Sequence, residues 1–195
     1  MKIVFLDRDG VINQYPGHGE YVTRVKDLHI FPEAVIAIKR LKDAQYKVFI
    51  ISNQACIGRG IITQGKLDQI TNKLIQAADR RGITFDGIFY CTHHPDDQCS
   101  CRKPGIGNIK KAVASVGKTL SSIKGAFFVG DTDKDIETGY NAGLKTILVE
   151  TGRDRYKHVK WGENKPHFVV QDLEAAAEII LNENSGHSRH RRSRA

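Results

Sequence analysis

The sequence predicts an α/β protein with a mostly parallel sheet. Short apolar runs alternate with helix-like patterns along the whole chain. The length of 195 residues suits a single domain with a sizeable core. Polar residues of types that can act in catalysis or bind ligands directly follow several of the apolar runs. Alternating strands and helices of this kind build a parallel sheet that helices cover on both faces.

Five apolar runs predict the strands. The first run ends at Asp7-x-Asp9, where Gly10 allows a sharp turn. Ligands of parallel sheets bind beyond the carboxyl ends of the strands, so we expect the polar residues that follow these runs to converge. The runs are Ile3–Leu6, Val48–Ile51, Ile88–Tyr90, Ala126–Val129 and Thr146–Val149.

Helical patterns fill the intervals between the runs. Pro32 suits the first turn of a helix that continues to about Gln45. Residues 105–117 and 133–142 predict a third helix and a short fourth helix. The second helix has an apolar face formed by Leu67, Ile70, Leu74 and Ala78. The last helix has the clearest pattern, with apolar residues at Leu173, Ala176, Ala177, Ile180 and Leu181.

The composition excludes several classes of protein. A hydrophobic content of 40% and a charged content of 27% are typical of globular proteins. No apolar run approaches the length of a membrane span. The apolar run before Asp7 has only four residues, which is too few for a signal peptide. We therefore expect a cytoplasmic protein, and the lack of a heptad repeat or long apolar stripe favours a monomer.

The net charge of +8 is spread unevenly. Half of it comes from four arginines in residues 186–195, a polar segment without periodicity that we expect to be a disordered basic tail. Weak attraction to polyanions needs no dedicated site. The charge therefore does not predict a specific nucleic-acid partner.

Asp7 and Asp9 are the leading candidates for catalytic residues. Side chains alternate along a strand, so both carboxylates begin on one face at the carboxyl end of the first strand. Two such carboxylates suit phosphoryl transfer beside a metal ion. Asp7 would be the nucleophile that forms an aspartyl-phosphate, and Asp9 would protonate the leaving oxygen and then activate water.

Three further strand ends carry matching groups. Asp131 follows the fourth run, and Mg²⁺ prefers oxygen ligands, so we predict a magnesium site formed by Asp7, Asp9 and Asp131. Ser52 offers a hydroxyl to the phosphoryl oxygens, and Lys103 offers a compact positive charge. These two residues complete the predicted catalytic set.

Each motif also has a simpler structural explanation. Asp-x-Asp after a strand is commonly a turn or cap signal, and Gly130-Asp131-x-x-x-Asp135 commonly leads into a capped helix. Arg102-Lys103-Pro104 taken alone is a surface loop. The occurrence of all of them in this order, each after an apolar strand, favours the functional interpretation.

Three cysteines and a histidine predict a zinc site. Cys91-x-His93 and Cys99-x-Cys101 are separated by five residues, and three sulfurs with one imidazole close a tetrahedral site without leaving a position for substrate. His94 is an alternative ligand to His93. The fourth cysteine, Cys56, stands alone and is expected to be a packed small residue. Because the loop ends next to Arg102 and Lys103, we expect zinc to hold these two cations over the site.

The ordered motifs resemble those of the haloacid dehalogenase (HAD) superfamily of phosphatases. The resemblance extends over residues 1–185 and implies one Rossmann-like three-layer domain without a large cap domain, an aspartyl-phosphate mechanism, and Mg²⁺ as cofactor. The motifs are Asp7-x-Asp9-Gly10, Ser52-Asn53-Gln54, Arg102-Lys103-Pro104 and Gly130-Asp131-x-x-x-Asp135.

The zinc loop, residues 91–103, resembles one branch of the superfamily that includes heptose-bisphosphate and histidinol-phosphate phosphatases. The opening segment Phe5–Asn13 and Glu20-Tyr21-Val22 favour the first, and thus hydrolysis of the 7-phosphate of a sugar bisphosphate in heptose and lipopolysaccharide biosynthesis. The resemblance implies that the substrate contacts are Arg8, Tyr21, Asn53, Gln54, Arg102 and Thr132.

Two alternatives remain open at this point. One is a phosphatase that acts on histidinol phosphate or on nucleic-acid ends. The other is a zinc-stabilised nucleic-acid-binding module, which would need a basic face with exposed aromatic residues or a recognition helix. The sequence has neither pattern, and its aromatic residues lie mostly within the apolar runs.

Overall fold

The computed structural model describes residues 1–153 and 161–189, with only the backbone for 184–189. Its strands are β1 (Lys2–Leu6), β2 (Tyr46–Asn53), β3 (Gly87–Cys91), β4 (Phe127–Gly130), β5 (Lys145–Val149) and β6 (Phe168–Val170). Its helices are α1 (Pro32–Asp43), α2 (Gln64–Asp79), α3 (Gly107–Ser115), α4 (Asp133–Asn141) and α5 (Leu173–Arg189).

The six strands form one parallel sheet in the order β3-β2-β1-β4-β5-β6. The chain therefore builds outward from β1 in one direction and from β4 in the other. This arrangement creates a crevice at the carboxyl ends of β1 and β4, where the strand order reverses. It confirms the predicted α/β class and the Rossmann-like arrangement.

Helices cover both faces of the sheet because the central strands are apolar on both sides. Along β1, Val4 and Leu6 pack into the core under α1, α2 and α5, whereas Ile3 and Phe5 pack into the core under α3. The Phe5 ring stacks on those of Phe49 and Phe128 at centroid distances of 5.7 and 6.4 Å. These layers confirm the predicted three-layer sandwich.

The sequence-based prediction missed β6 and did not foresee how far α5 extends. Phe168–Val170 is an edge strand of only three residues, too short to stand out as an apolar run. Helix α5 continues to Arg189 and so includes the first four residues of the predicted tail 186–195, since a single glycine does not end a helix. The remaining tail residues lie outside the described part of the chain. None of the described helices is long and apolar enough to cross a membrane.

A partly buried carboxylate, Asp86, connects α1 to the start of β2. Its Oδ2 accepts hydrogen bonds from the Val48 amide at 2.8 Å and from Lys42 Nζ at 2.5 Å, and Lys47 Nζ lies 2.8 Å from Oδ1. Burial alone would raise the pKa of Asp86, but these three donors lower it below its ordinary value of 3.8. The bonds therefore stabilise the fold only while Asp86 is ionised.

We predict that Asp86→Asn lowers the free energy of unfolding by about 1–2 kcal/mol at pH 7, because charge-assisted bonds are lost. The pKa of Asp86 is lower in the folded state than in the unfolded state. Its contribution is thus present above about pH 4 and disappears as the pH falls through the folded pKa. Urea denaturation between pH 3 and pH 7 measures this, with the exposed Asp68→Asn as the control. An equal difference at every pH would contradict the assignment.

Candidate active site

The predicted catalytic residues meet at the crevice between β1 and β4. Asp7 directly follows β1, Asp131 directly follows β4, and Ser52 is the penultimate residue of β2. Lys103 enters from the loop between β3 and α3. A cleft of about 300 Å³ opens above them. Its walls include Tyr15, Tyr21, Asn53, Arg102, Thr132, Lys134 and Arg153.

Three carboxylates crowd together at the base of the cleft. One oxygen each of Asp7, Asp131 and Asp135 lies within 4.8 Å of the others, and all three residues are buried. Burial, with repulsion from the neighbouring carboxylates, raises the pKa of Asp7 to about 6 and raises that of Asp131. Asp131 Oδ1 is buried without a hydrogen-bond partner. This donor set fits a hard divalent cation.

Lys103 supplies the positive charge that the protein itself places in this cluster. Its Nζ lies 2.9 Å from Asp7 Oδ2 and 2.5 Å from Asp135 Oδ1. Burial alone would lower the pKa of Lys103, but the two carboxylates raise it, so the side chain stays protonated. The Asn53 amide fixes the backbone beneath it, with Oδ1 accepting from Lys103 N at 3.0 Å and Nδ2 donating to Lys103 O at 3.2 Å.

Asp9 lies in a different environment from Asp7. Its carboxylate accepts hydrogen bonds from the Arg8 guanidinium at 2.9 Å, from Asn13 Nδ2 at 2.9 Å and from Gln54 Nε2 at 2.8 Å. The carboxylate is 17% exposed and lines the cleft. Among the described residues, its side chain does not belong to the carboxylate cluster. The Asp9 side chain thus lies beside the carboxylate cluster, with its oxygens bonded to neighbouring donors, and its role as a magnesium ligand stays a prediction.

Two predicted substrate contacts, Arg8 and Gln54, are completely buried. The Arg8 guanidinium lies over the Tyr90 ring at 5.5 Å and donates to Gln54 Oε1 at 3.1 Å. Gln54 Nε2 reaches Ser52 Oγ at 3.2 Å as well as Asp9. Neither side chain lines the cleft, but both bond to residues that do: Arg8 to Asp9, and Gln54 to Asp9 and Ser52.

The other predicted contacts lie in the cleft wall. Tyr21 and Arg102 line it, and Arg102 Nη1 is a buried nitrogen without a hydrogen-bond partner. Asn53 lines it too, although both ends of its amide bind the Lys103 backbone. The Thr132 hydroxyl donates to Asp135 Oδ2 at 2.6 Å and accepts from the Asp135 amide, which makes it the N-cap of α4.

Asp135 is the site residue that the sequence analysis left without a role. The structural explanation of the Gly130-Asp131-x-x-x-Asp135 motif was a capped helix. In the structure Asp135 both caps α4 and belongs to the carboxylate cluster. Asp135 Oδ2 completes a capping box with Thr132, while Oδ1 faces Lys103. A β-carbon on Gly130 would lie 2.1 Å from Asp135 Cβ, so only glycine allows this approach.

The four predicted zinc ligands come together beside this cleft. Cys91 and Cys101 Sγ each lie 3.5 Å from Cys99 Sγ, and His93 Nδ1 lies 3.2 Å from Cys101 Sγ. All four ligand atoms lie within 4.8 Å of one another, and the thiols are free. His94 instead uses Nδ1 to accept from the Asp96 amide. The geometry thus selects His93 over His94.

Comparison with known proteins agrees with this site. A family model for HAD-hydrolase-like proteins matches residues 100–176. The D-glycero-beta-D-manno-heptose-1,7-bisphosphate 7-phosphatase of Bordetella bronchiseptica is 34% identical over 183 residues, which cover 94% of this chain and 99% of that protein. The chain belongs to the HAD-like hydrolase family. It is therefore a phosphoric monoester hydrolase, as the sequence predicted.

A solved structure and a second relative have similar names. A crystal structure of the D,D-heptose 1,7-bisphosphate phosphatase from B. bronchiseptica, complexed with magnesium and phosphate, has a TM-score of 0.83 at 34% identity and covers 94% of this chain and 99% of its own. The D-glycero-alpha-D-manno-heptose-1,7-bisphosphate 7-phosphatase of Photorhabdus laumondii is 34% identical over 160 residues, which cover 78% of this chain and 84% of that protein.

The buried Arg8–Asp9 pair gives a prediction about stability. Arg8→Met leaves the Asp9 carboxylate without its main partner, so we expect the free energy of unfolding to fall by about 3–5 kcal/mol. The double variant Arg8→Met/Asp9→Leu recovers part of this loss because no unpaired charge remains. Urea denaturation measures both effects. The control is Arg24→Met, which breaks a solvent-screened pair with Asp27 and should change the free energy of unfolding far less; equal losses for Arg8 and Arg24 would contradict the prediction.

Proposed function

We propose that the protein is a Mg²⁺-dependent phosphatase that removes the 7-phosphate of D-glycero-D-manno-heptose 1,7-bisphosphate. The observation that carries the proposal is the cluster of Asp7, Asp131 and Asp135 around Lys103, in a cleft at the strand-order reversal. The similarity to heptose-bisphosphate phosphatases over nearly the whole chain supports the choice of substrate.

In the first proposed step, Asp7 is the nucleophile. One of its carboxylate oxygens attacks phosphorus, the bond from phosphorus to the sugar oxygen breaks, and Asp9 donates its proton to that oxygen. Lys103 Nζ, 2.9 Å from Asp7 Oδ2, offsets charge on the transferring group. Ser52 lines the cleft with Asp7, where its hydroxyl would orient the phosphoryl oxygens.

In the second step, water hydrolyses the aspartyl-phosphate. Asp9 accepts a proton from water as the water oxygen attacks phosphorus, and the bond from phosphorus to Asp7 breaks. Inorganic phosphate leaves, Asp7 returns as a carboxylate and Asp9 is again protonated. The three hydrogen-bond donors around Asp9 keep its carboxylate in one place through both proton transfers.

Asp7 and Asp131 are the residues that would hold Mg²⁺. Asp131 Oδ1 is buried without a hydrogen-bond partner, and burial together with the neighbouring carboxylates raises the pKa values of Asp7 and Asp131, which supports a cation at this position. When bound, the ion reduces repulsion between the carboxylate nucleophile and the phosphoryl oxygens. Asp135 remains bonded to Lys103 and to the first turn of α4.

Loop residues around the cleft would select the sugar. Tyr21 lies in one wall, and Arg102 in another wall presents a buried nitrogen that lacks a partner. We propose that Arg102 binds the phosphate that is not hydrolysed, because a guanidinium matches phosphate geometry in a bidentate way. The substrate partner is thus a small sugar phosphate, and we expect the enzyme to act as a cytoplasmic monomer.

The proposal predicts which phosphate esters are hydrolysed. The panel holds both heptose 1,7-bisphosphate anomers, fructose 1,6-bisphosphate, histidinol phosphate and a 3′-phosphorylated oligonucleotide, with phosphate release measured in Mg²⁺. We expect preference for one heptose anomer and background activity for Asp7→Asn, since an amide is a poor nucleophile. Asp68→Asn is the matched control and should retain wild-type activity.

Three other outcomes of the phosphate-release assay would each contradict a different part of the proposal. Preference for histidinol phosphate or the oligonucleotide would overturn the substrate assignment and leave the role of Asp7 intact. Wild-type activity of Asp7→Asn would overturn the mechanism. No turnover of any ester by the Mg²⁺-loaded protein would reject the proposed function as a whole.

We further propose that Cys91, His93, Cys99 and Cys101 bind a structural zinc ion. Ligand atoms of a tetrahedral zinc–thiolate site are separated by about 3.8 Å, close to the distances found here. Burial raises the pKa of the Cys91 thiol to about 12, so a thiolate at this position requires a cation. Such a site needs reduced thiols, which accords with a cytoplasmic location.

Zinc should support activity through Lys103. We predict that Cys99→Ser loses zinc, measured by atomic emission, and lowers kcat/KM about tenfold or more, because the loop that carries Lys103 loosens. Cys56→Ala is the control: Cys56 is buried outside the cluster, so this variant should keep one zinc per chain. A folded, zinc-free Cys99→Ser protein with wild-type kcat/KM would contradict the connection.

A further inference from the structure

Three residues that begin one position beyond the end of β5 contact both of the strand ends that carry the reactive carboxylates. We call Thr151-Gly152-Arg153 the β5 strap. The Thr151 hydroxyl donates to the carbonyl oxygen of Gly10, in the turn after Asp7 and Asp9, at 2.6 Å. The Arg153 amide donates to Asp131 Oδ2 at 2.7 Å. The strap therefore connects the turn after β1 to the Asp131 carboxylate.

Two glycines let the backbone approach Asp131 closely. A β-carbon on Gly152 would lie 2.0 Å from Asp131 Oδ2 and 2.4 Å from Cγ. A β-carbon on Gly10 would lie 2.3 Å from the same Oδ2 and 2.9 Å from Gly152 Cα. Gly10 also has a φ of +83°, which favours glycine. The Asp131 carboxylate is thus enclosed by main chain on two sides.

The two carboxylate oxygens of Asp131 have different surroundings. Oδ2 is held by the Arg153 amide and packed against Gly10 and Gly152. Oδ1 is buried and has no hydrogen-bond partner. A carboxylate gripped through one oxygen cannot rotate freely, so its second oxygen has a set direction. Groups that orient a metal ligand in this way commonly change metal affinity when they are removed.

We propose that the β5 strap is a positioning element for Mg²⁺ binding, which holds Asp131 Oδ2 so that Oδ1 stays available to the ion. Thr151 and Gly152 are its positioning residues: neither supplies a ligand, and both act through Asp131 and the turn at Gly10. The inference rests on the proposed phosphatase function and adds residues that the sequence analysis did not single out.

The first test uses Gly152→Ala in the zinc-containing protein. The added methyl group must displace the Asp131 carboxylate, so we expect Mg²⁺ affinity to fall about 10- to 100-fold. A Mg²⁺ titration followed through the rise in Tm gives this affinity without using activity. Gly65→Ala is the matched control, because a β-carbon at Gly65 meets no atom within 4 Å. It should bind Mg²⁺ as the wild type does.

A second variant covers the case in which Gly152→Ala fails to fold. Thr151→Val keeps the side-chain shape and removes the bond to Gly10, and we expect about tenfold weaker Mg²⁺ binding. Thr151→Ser retains the hydroxyl and should restore the affinity. Thr71→Val, which removes a partly buried hydroxyl bonded to the Leu67 carbonyl within α2 and to Tyr90 Oη, is the control for loss of a partly buried hydroxyl.

A purely structural strap would give a different result. It would lower the Tm measured without Mg²⁺ while leaving the Mg²⁺ affinity at the wild-type value, and that outcome in Thr151→Val would overturn the proposal. A positioning role also raises the Mg²⁺ concentration needed for half-maximal turnover while the KM at saturating Mg²⁺ stays within twofold. If the wild type binds Mg²⁺ but hydrolyses no ester, the proposed function fails and the Mg²⁺ titration still tests the strap.

Discussion

Crowding of negative charge at the strand-order reversal is the constraint on which this structure depends. Asp7, Asp131 and Asp135 approach within 4.8 Å of one another in a buried position, where carboxylates repel strongly. Lys103 offsets part of this charge, and the raised pKa values of Asp7 and Asp131 show that the balance is incomplete. A site with a deficit of positive charge is well suited to bind a cation and a phosphate together.

The neighbouring carboxylate is kept out of that cluster. Asp9 is two residues from Asp7, yet its oxygens accept bonds from Arg8, Asn13 and Gln54. Two carboxylates of one short motif thus have different surroundings, and different surroundings let one fold assign them different roles. This arrangement requires a buried guanidinium, Arg8. Its charge is tolerated in the core only while Asp9 is present to pair with it.

The sequence predicts the parts of the site that local patterns determine. Asp7, Asp131 and the cluster of three cysteines with His93 were identifiable because each lies in a short motif after an apolar run. The burial of Arg8 and Gln54 was not predictable, because it depends on contacts between the residues after β1, the loop after β2 and Tyr90, which no local pattern reports. The catalytic-site role of Asp135 was hidden by its capping role, and the roles of Thr151 and Gly152 depend on contacts across about 140 positions of the chain.

The base of the cleft and its loop wall differ in how well they tolerate amino-acid substitutions. The base is built from strand ends, glycines and main-chain bonds, where even one methyl group meets atoms at 2.0–2.3 Å. The wall that contains Tyr15, Pro16 and Tyr21 lies between β1 and α1 without a regular strand of its own. Substitutions in such a loop disturb the core less than changes at the base. Differences in sugar specificity among members of this family should therefore arise in that wall, while the phosphoryl-transfer groups stay the same.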